Sequence, residues 1–184
     1  MMMKTMKMVL GAAIAALGLT ASAGAPVYVN SMTALKNAVN AAPAGVETMI
    51  VLTADATGGT CIIAADKNIV IDLNGHKIDT TGTTRQCVVS VASPNVTIMN
   101  SSTTSGEVSG CCLYIPEGGC VHLRGKIMVE YLDYRKGSTV CIDDKNVTIG
   151  TVVYAFGTRY DRGLEAGTAA ELATAIAGGD AKRI

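Results

Sequence analysis

The sequence predicts an all-β protein, a parallel β-helix (β-solenoid) of about five coils with an N-terminal capping helix and a short C-terminal helix. The first observation is an internal repeat with steps of 27, 25 and 26 residues. We call the aligned apolar stretch of each repeat a line, and the lines begin at Asn68, Asn95, Cys120 and Asn146. The second is the alternation of apolar and polar residues within each line, which is the period of a strand. The third is the Gly and Asn punctuation between lines, as at Asn74-Gly75, which marks turns. Together they predict stacked coils, because one coil alone cannot bury its inner face.

Residues 1–23 have the layout of a secretory signal peptide. Lys4 and Lys7 form a positive region, residues 8–19 form a short apolar region, and residues 21–23 supply the small side chains of a cleavage site. The apolar stretch is too short for a comfortable membrane span, so we expect no span after cleavage. We therefore expect a secreted, periplasmic or cell-surface protein.

Residues 24–46 are predicted to form an N-terminal segment and a capping helix. Ser31 is a suitable N-cap residue, and Pro43 ends the helix. Between them, four apolar residues follow the spacing of one helix face: Leu35, Ala38, Val39 and Ala42. An amphipathic helix here would cover the first coil and its otherwise exposed strand edge.

Residues 47–160 are predicted to form the parallel β-helix, with an additional first line that begins at Thr48. Asn68, Asn95 and Asn146 recur at the same position of their lines, and we interpret them as a structural ladder at one corner of successive coils. Asn95 and Asn146 also match the N-x-[ST] glycosylation motif. Asn68 lacks that motif and still belongs to the repeat, which favours the ladder.

A cysteine column accompanies the repeat, at Cys61, Cys87, Cys112 and Cys141. Two interpretations stay open. Neighbouring coils lie about 4.8 Å apart, a separation that a disulfide such as Cys61–Cys87 or Cys112–Cys141 can bridge. A stack of thiols would instead pack as small apolar side chains. The chain has six cysteines but no C-x-x-C pair, which disfavours a zinc site, so the sequence predicts no metal site and no cofactor.

Residues 161–184 are predicted to form a linker and a C-terminal helix that resembles the first helix. Thr168 and Glu171 fit a capping box. The apolar positions of the first helix recur as Leu172, Ala175 and Ile176. Either this helix caps the far end of the solenoid, or the chain is a fragment of a longer repeat-bearing protein. We favour the second interpretation.

The segments "TALKNAV", "MIVLTAD" and "NIVIDLNGHKI" give residues 31–78 a resemblance to bacterial exported right-handed parallel β-helix proteins of the pectate-lyase-like (pectin lyase-like) superfamily. The resemblance extends to about residue 156. It implies a right-handed winding and a scaffold that hosts polysaccharide lyases and hydrolases as well as adhesin-like surface proteins. The fold alone does not decide among these activities.

The predicted outer face holds a poor arrangement for polysaccharide cleavage. Asp72 and Arg124 are two coils apart, about 9.6 Å at the strand spacing, with Met99 between them. A lyase needs clustered carboxylates and a base, and an inverting hydrolase needs paired carboxylates. Asp143 falls at a turn, where a solvated acid is ordinary, and His122 is expected to be an isolated surface residue. The sequence assigns no catalytic residue.

Binding is the function that the sequence favours. Tyr131 and Tyr134 lie in a lengthened coil that is expected to protrude from the solenoid, which is where a carbohydrate site would be placed. Two interpretations of these tyrosines stay open: they offer aromatic platforms to a carbohydrate, or, as we favour, they pack on a neighbouring loop. Asp72 and Arg124 complete the candidate binding residues. The equal numbers of basic and acidic residues, 15 each, and the lack of a basic run disfavour nucleic acid as a partner. We expect a non-catalytic structural, carbohydrate-binding or surface-binding (adhesin-like) module. The alternative is a degenerate or truncated polysaccharide lyase or hydrolase.

Overall fold

The structure is a computed structural model that describes residues 24–79, 89–154 and 158–165. Within these ranges the chain is a parallel β-solenoid of about five turns with one short helix near the N-terminus, which confirms the predicted fold class. The predicted signal peptide, Cys87 and the predicted C-terminal helix lie outside the described residues.

The described helix and strands are short and follow the chain without long connections. They are β1 (Val27–Val29), α1 (Met32–Ala41), β2 (Glu47–Leu52), β3 (Ala56–Thr57), β4 (Cys61–Ile63), β5 (Asn68–Asp72), β6 (Lys77–Asp79), β7 (Val89–Val91), β8 (Asn95–Asn100), β9 (Gly106–Ile115), β10 (Cys120–Gly125), β11 (Ile127–Tyr134), β12 (Thr139–Ile142), β13 (Val147–Tyr154) and β14 (Thr158–Glu165).

The strands form two sheets. The first has the order β1-β2-β5-β8-β10-β12, and the second has the order β14-β13-β11-β9-β6-β3, with β7 pairing both β4 and β9. Neighbouring strands are parallel, except that β13 and β14 are antiparallel. Since parallel neighbours come from successive coils, each coil rests on the one before it.

The core is a stack of aliphatic side chains on the inner faces of the strands. Across the first sheet, one column consists of the successive partners Ile50, Ile71, Ile98, Leu123 and Ile142. All five are at most 4% exposed. Such a column is filled by medium-sized side chains, which explains how a sequence with no Trp and one Phe builds its core.

Helix α1 covers the first coil. The Ser31 side chain accepts a hydrogen bond from the Ala34 N–H at 3.2 Å, so Ser31 is the N-cap, as predicted. Leu35 and Val39 are buried on the face of the helix that contacts β1 to β4. The predicted capping helix is therefore confirmed. No helix within the described ranges is long and apolar enough to cross a bilayer.

Two predicted repeat lines have a different register in the structure. Glu47, and not Thr48, is the partner of Asn68. The line from Asn146 forms β13, which pairs with β11 of the second sheet, while β12 takes the place beside β10. Alternation is the same in every strand, so the sequence pattern could not tell which of two strands continues a given sheet.

Candidate functional site

Asp72 holds a turn and does not offer its carboxylate to a ligand on the outer face, contrary to the prediction. It is 3% exposed. Its Oδ1 accepts hydrogen bonds from the Asn74 N–H at 2.9 Å and from the Ser101 N–H at 3.0 Å. A buried carboxylate is stabilised by such backbone donors, so Asp72 belongs to the framework.

The predicted protruding coil is a strand. Residues 127–134 form β11, which pairs with β9 on one side and β13 on the other. Tyr134 is 5% exposed and belongs to the core, so it packs in the interior and offers no surface platform. Tyr131 lies on the outer face of the second sheet, whereas Arg124 lies on the first sheet. The four predicted binding residues therefore do not form one site.

Only two of the three asparagines of the predicted ladder are neighbours in the strand register. Asn68 and Asn95 are partners in the register, as predicted. Asn146 precedes β13 and lies outside that column, so a ladder of all three is wrong. Its amide nitrogen donates instead to the Asp144 Oδ1 at 2.8 Å.

Asn100 is the asparagine that the structure places at a coil corner. It is 6% exposed, and its Nδ2 donates to the carbonyl oxygens of Thr104 at 2.7 Å and Lys126 at 2.9 Å. Its Oδ1 accepts the Gly75 N–H at 2.7 Å. This role of Asn100 was not predicted from the sequence, although Asn74 and Asn100 end two successive apolar lines and could have indicated the corner.

The predicted cysteine column does not form. Cys112 lies on β9 of the second sheet and Cys141 on β12 of the first, so the two are not neighbours in a ladder. Cys61 is fully buried, and its predicted partner Cys87 lies outside the described residues. Cys61 and Cys141 are reduced thiols in the structure.

Strands β9 and β11 carry a polar and aromatic surface on their outward positions. Leu113 and Leu132 are fully buried partners, so the residues on either side of them point outward. Tyr114 of β9 is the register partner of Asp133 of β11, and Tyr131 lies diagonally across from Tyr114. The strand register thus brings together aromatic rings and a carboxylate that are 17 to 19 residues apart in the chain.

Arg135 completes this surface. Its guanidinium lies 5.3 Å from the centroid of the Tyr114 ring, and its Nη2 lies 3.5 Å from the Asp133 Oδ2. Burial raises the pKa of the Asp133 carboxyl, and the Arg135 charge offsets part of that effect. We call Tyr114, Tyr131, Asp133 and Arg135 the tyrosine face. It combines rings that can stack with groups that donate and accept hydrogen bonds.

A second cluster lies on the outer face of the first sheet, where β10 and β12 pair. His122 is the register partner of Cys141, and Cys120 is the partner of Thr139. The side-chain ligand atoms of Cys120, His122 and Cys141 all lie within 4.8 Å of one another. We call these three residues the thiol–imidazole cluster. Such a set of soft and borderline ligands can hold a metal ion.

Asp143 and Arg124 border this cluster. The Asp143 Oδ2 lies 2.6 Å from the Arg124 Nε and 3.1 Å from the His122 Nδ1. The pKa of the Asp143 carboxyl is lowered overall. Partial burial alone would raise it, but the hydrogen bonds to Arg124 and His122 outweigh that effect. Burial and the neighbouring Cys141 thiol raise the pKa of Cys120. His122 and Asp143, which were expected to be separate surface residues, are therefore in contact.

The thiol–imidazole cluster was not predicted from the sequence, because Cys141 was expected to stand in a column with Cys112. Two short patterns could have indicated it: Cys-x-His at 120–122 and Cys-x-Asp at 141–143. Alternate residues of a strand lie on the same face. The two polar residues of each pattern therefore share one face, and the apolar residue between them lies on the other.

No protein-family model, curated protein or solved structure matches this chain. Its class is therefore defined by the fold. It is a parallel β-solenoid that carries a tyrosine face on one sheet and a thiol–imidazole cluster on the other.

Proposed function

We propose that the protein is an exported β-solenoid module that binds carbohydrate through the tyrosine face. The observation that carries the proposal is the placement of Tyr114 and Tyr131 beside Asp133 and Arg135 on two adjacent strands. Aromatic rings give a flat apolar surface, and the charged groups beside them can bond to hydroxyl groups.

The strands favour binding because they hold the two rings at a fixed spacing. Tyr114 and Tyr131 are offset by one strand and two residues, so their Cα atoms are about 8 Å apart at ordinary strand spacing and rise. Side chains on a paired strand lose little freedom when a ligand arrives, which lowers the entropic cost of binding. An extended polymer could therefore lie along this face.

The export part of the proposal is supported by residues 1–23, which have the charge and apolar pattern of a signal peptide. The resemblance of residues 31–78 to the pectate-lyase-like superfamily supports a carbohydrate ligand. We include in the proposal that the module acts outside the cytoplasm, in the periplasm, at the cell surface or in the medium.

A sedimentation assay tests this function. The purified protein is incubated with insoluble polysaccharides, and the retained protein and any newly formed reducing or unsaturated ends are measured in the same tubes. We expect retention without products, and we expect Tyr131→Ala to weaken retention about tenfold, the equivalent of about 1.4 kcal/mol.

Tyr28→Ala is the matched control, because Tyr28 is 67% exposed on β1, away from the tyrosine face. Its retention should equal that of the unmodified protein. Equal retention of Tyr131→Ala, or no retention on any polysaccharide tested, would overturn the proposal. Formation of products would instead support the alternative of a polysaccharide-cleaving enzyme.

A further inference from the structure

We propose that Cys120, His122 and Cys141 bind one divalent metal ion, and that zinc is the ion whose ligand preferences fit them best. The three residues come from two parallel strands and share one outward face. Zinc in proteins takes cysteine sulfur and histidine nitrogen as its usual ligands, and two cysteines with one histidine form an established kind of donor set. This inference goes beyond carbohydrate binding and does not depend on it.

The distances between the three ligand atoms allow them to bind the same ion. Zinc binds sulfur at about 2.3 Å and nitrogen at about 2.0 Å, so in a tetrahedral site two sulfurs and one nitrogen are about 3.5–3.8 Å apart. The ligand atoms of the cluster already lie within 4.8 Å of one another. Small rotations of side chains that are only partly buried would close the difference, with the backbone of β10 and β12 unchanged.

A disulfide between the two cysteines fits the backbone less well than a metal ion does. Cys120 is the partner of Thr139, whereas Cys141 is the partner of His122, so the two cysteines are offset by two residues. One strand spacing and two residues of rise separate their Cα atoms by about 8 Å, beyond the roughly 7 Å that a disulfide spans. A metal ion reaches both sulfurs because it adds two bonds between them.

Asp143 would orient the histidine. Its Oδ2 lies 3.1 Å from the His122 Nδ1, so this nitrogen can donate to the carboxylate while Nε2 is offered to the ion. A carboxylate behind a metal-bound histidine fixes the ring and is a common second contact in zinc sites. Arg124 neutralises Asp143 through a contact of 2.6 Å. Two thiolates then balance the charge of the divalent ion.

The proposed ion would join the edge strand β12 to β10. Among the described strands of the first sheet, β12 is terminal and pairs with β10 alone. An ion held by Cys120 and His122 of β10 and by Cys141 of β12 joins these two strands through their side chains. Metal binding should therefore stabilise the coil that contains β12.

Cobalt(II) spectroscopy and zinc competition test the site. The purified, reduced protein is titrated with cobalt(II), and zinc is then added against a chromophoric chelator. We expect one equivalent of cobalt to give thiolate charge-transfer bands and the intense visible bands of four-coordinate geometry, and zinc to displace it. We expect Cys141→Ser to lose the charge-transfer signal and His122→Ala to weaken zinc binding at least tenfold.

Cys112→Ser is the matched control, because Cys112 is a partly buried thiol on the other sheet, and it should leave the cobalt spectrum unchanged. Asp143→Asn should keep the spectrum but weaken zinc binding about 10-fold to 100-fold. Circular dichroism of each metal-free variant shows whether it is folded, and His122→Ala decides the case if Cys141→Ser is not. The proposal is overturned by the lack of a stoichiometric cobalt spectrum, by a spectrum that survives in folded Cys141→Ser, or by a Cys120–Cys141 disulfide in protein purified without a reductant.

Discussion

At the scale of single residues, the corners of the coils depend on a few buried polar groups. Asp72 accepts two backbone N–H groups, and Asn100 satisfies backbone groups of two neighbouring turns. Ser93 is fully buried, accepts the Asn95 N–H and donates to the Lys67 carbonyl. Buried backbone groups must find partners, so these side chains define where each coil turns.

Asn100→Ala should destabilise the protein by about 3 kcal/mol, because it leaves the Gly75 N–H and the Lys126 carbonyl without a side-chain partner inside a corner. Asn95→Ala is the matched control on the same strand, and its exposed side chain should cost less than about 0.5 kcal/mol. Urea unfolding of the two variants measures the difference. A similar loss in both would show that the column of Asn68 and Asn95 is the structural one after all.

Cys61 should make the folded state less stable at alkaline pH. Burial raises the pKa of its thiol from 9.0 to about 11, and the Lys36 charge opposes this effect. The folded state holds the thiol proton more tightly than the unfolded state. The resulting contribution to the free energy of unfolding is therefore present in full below pH 9.0 and is lost as pH rises towards about 11.

Urea unfolding of the unmodified protein and of Cys61→Ala at several pH values checks this prediction. Between about pH 7.5 and about pH 10.5, the unmodified protein should lose about 2 kcal/mol relative to the variant, which has no thiol at that position. Because other groups titrate in both proteins, only the difference between the two curves counts. A constant difference over this range would contradict the prediction.

At the scale of elements, helix α1 covers the first coil, and the corners determine how closely successive coils pack. Helix α1 packs on the strands of the first coil through Leu35 and Val39. At a corner between β10 and β11, Gly125 has a φ of +79°, and a Cβ at that position would collide with the carbonyl oxygen of Asn100. Helix α1 covers the first coil. Because Gly125 has no Cβ, the corners of successive coils can approach each other closely.

Leu35→Ala should destabilise the protein by about 3 kcal/mol, because Leu35 is fully buried between α1 and the first coil. Asn37→Ala lies on the exposed side of the same helix and should change the stability by less than about 0.5 kcal/mol. Chemical unfolding followed by circular dichroism measures both variants. Near-equal stabilities would mean that α1 does not contribute to the core as its burial indicates.

At the scale of the whole molecule, the solenoid is a stack in which each coil contacts mainly its neighbours. In such a stack, stability is close to a sum of coil and interface contributions, and the ends have fewer partners than the centre. Residues of the central strands β5, β8 and β10 have a paired strand on both sides, whereas β1 and β12 have one within the described sheet.

Hydrogen exchange should therefore be slowest in the central strands. We expect the amides of Ile71 and Ile98 to exchange more slowly than those of Tyr28 and Val29 in β1, because the terminal strand can open without breaking the rest of the stack. Exchange measured by mass spectrometry of peptides checks this order. Equal protection from β1 to β10 would show that the described coils open as one unit. Zinc, if it binds as proposed, should slow exchange in β12 selectively.

The sequence by itself determined the architecture. The placement of Ile69 and Ile71 at alternate positions, and its recurrence about every 25 residues, predict strands that bury one face and stack in parallel. The cap at Ser31 and the apolar face of α1 were also readable, because helix periodicity and capping are local properties of the chain.

Only the tertiary structure decided which strands are neighbours, and with that which side chains meet. Every strand has the same alternation, so the sequence could not distinguish β12 from β13 as the strand that follows β10. That choice depends on the length and path of the connecting turns. It places Cys141 beside His122, moves Asn146 out of its expected column and brings Tyr131 near Tyr114. The candidate sites depend on register between coils, which is a non-local property, whereas the fold depends on a pattern that each coil carries in itself.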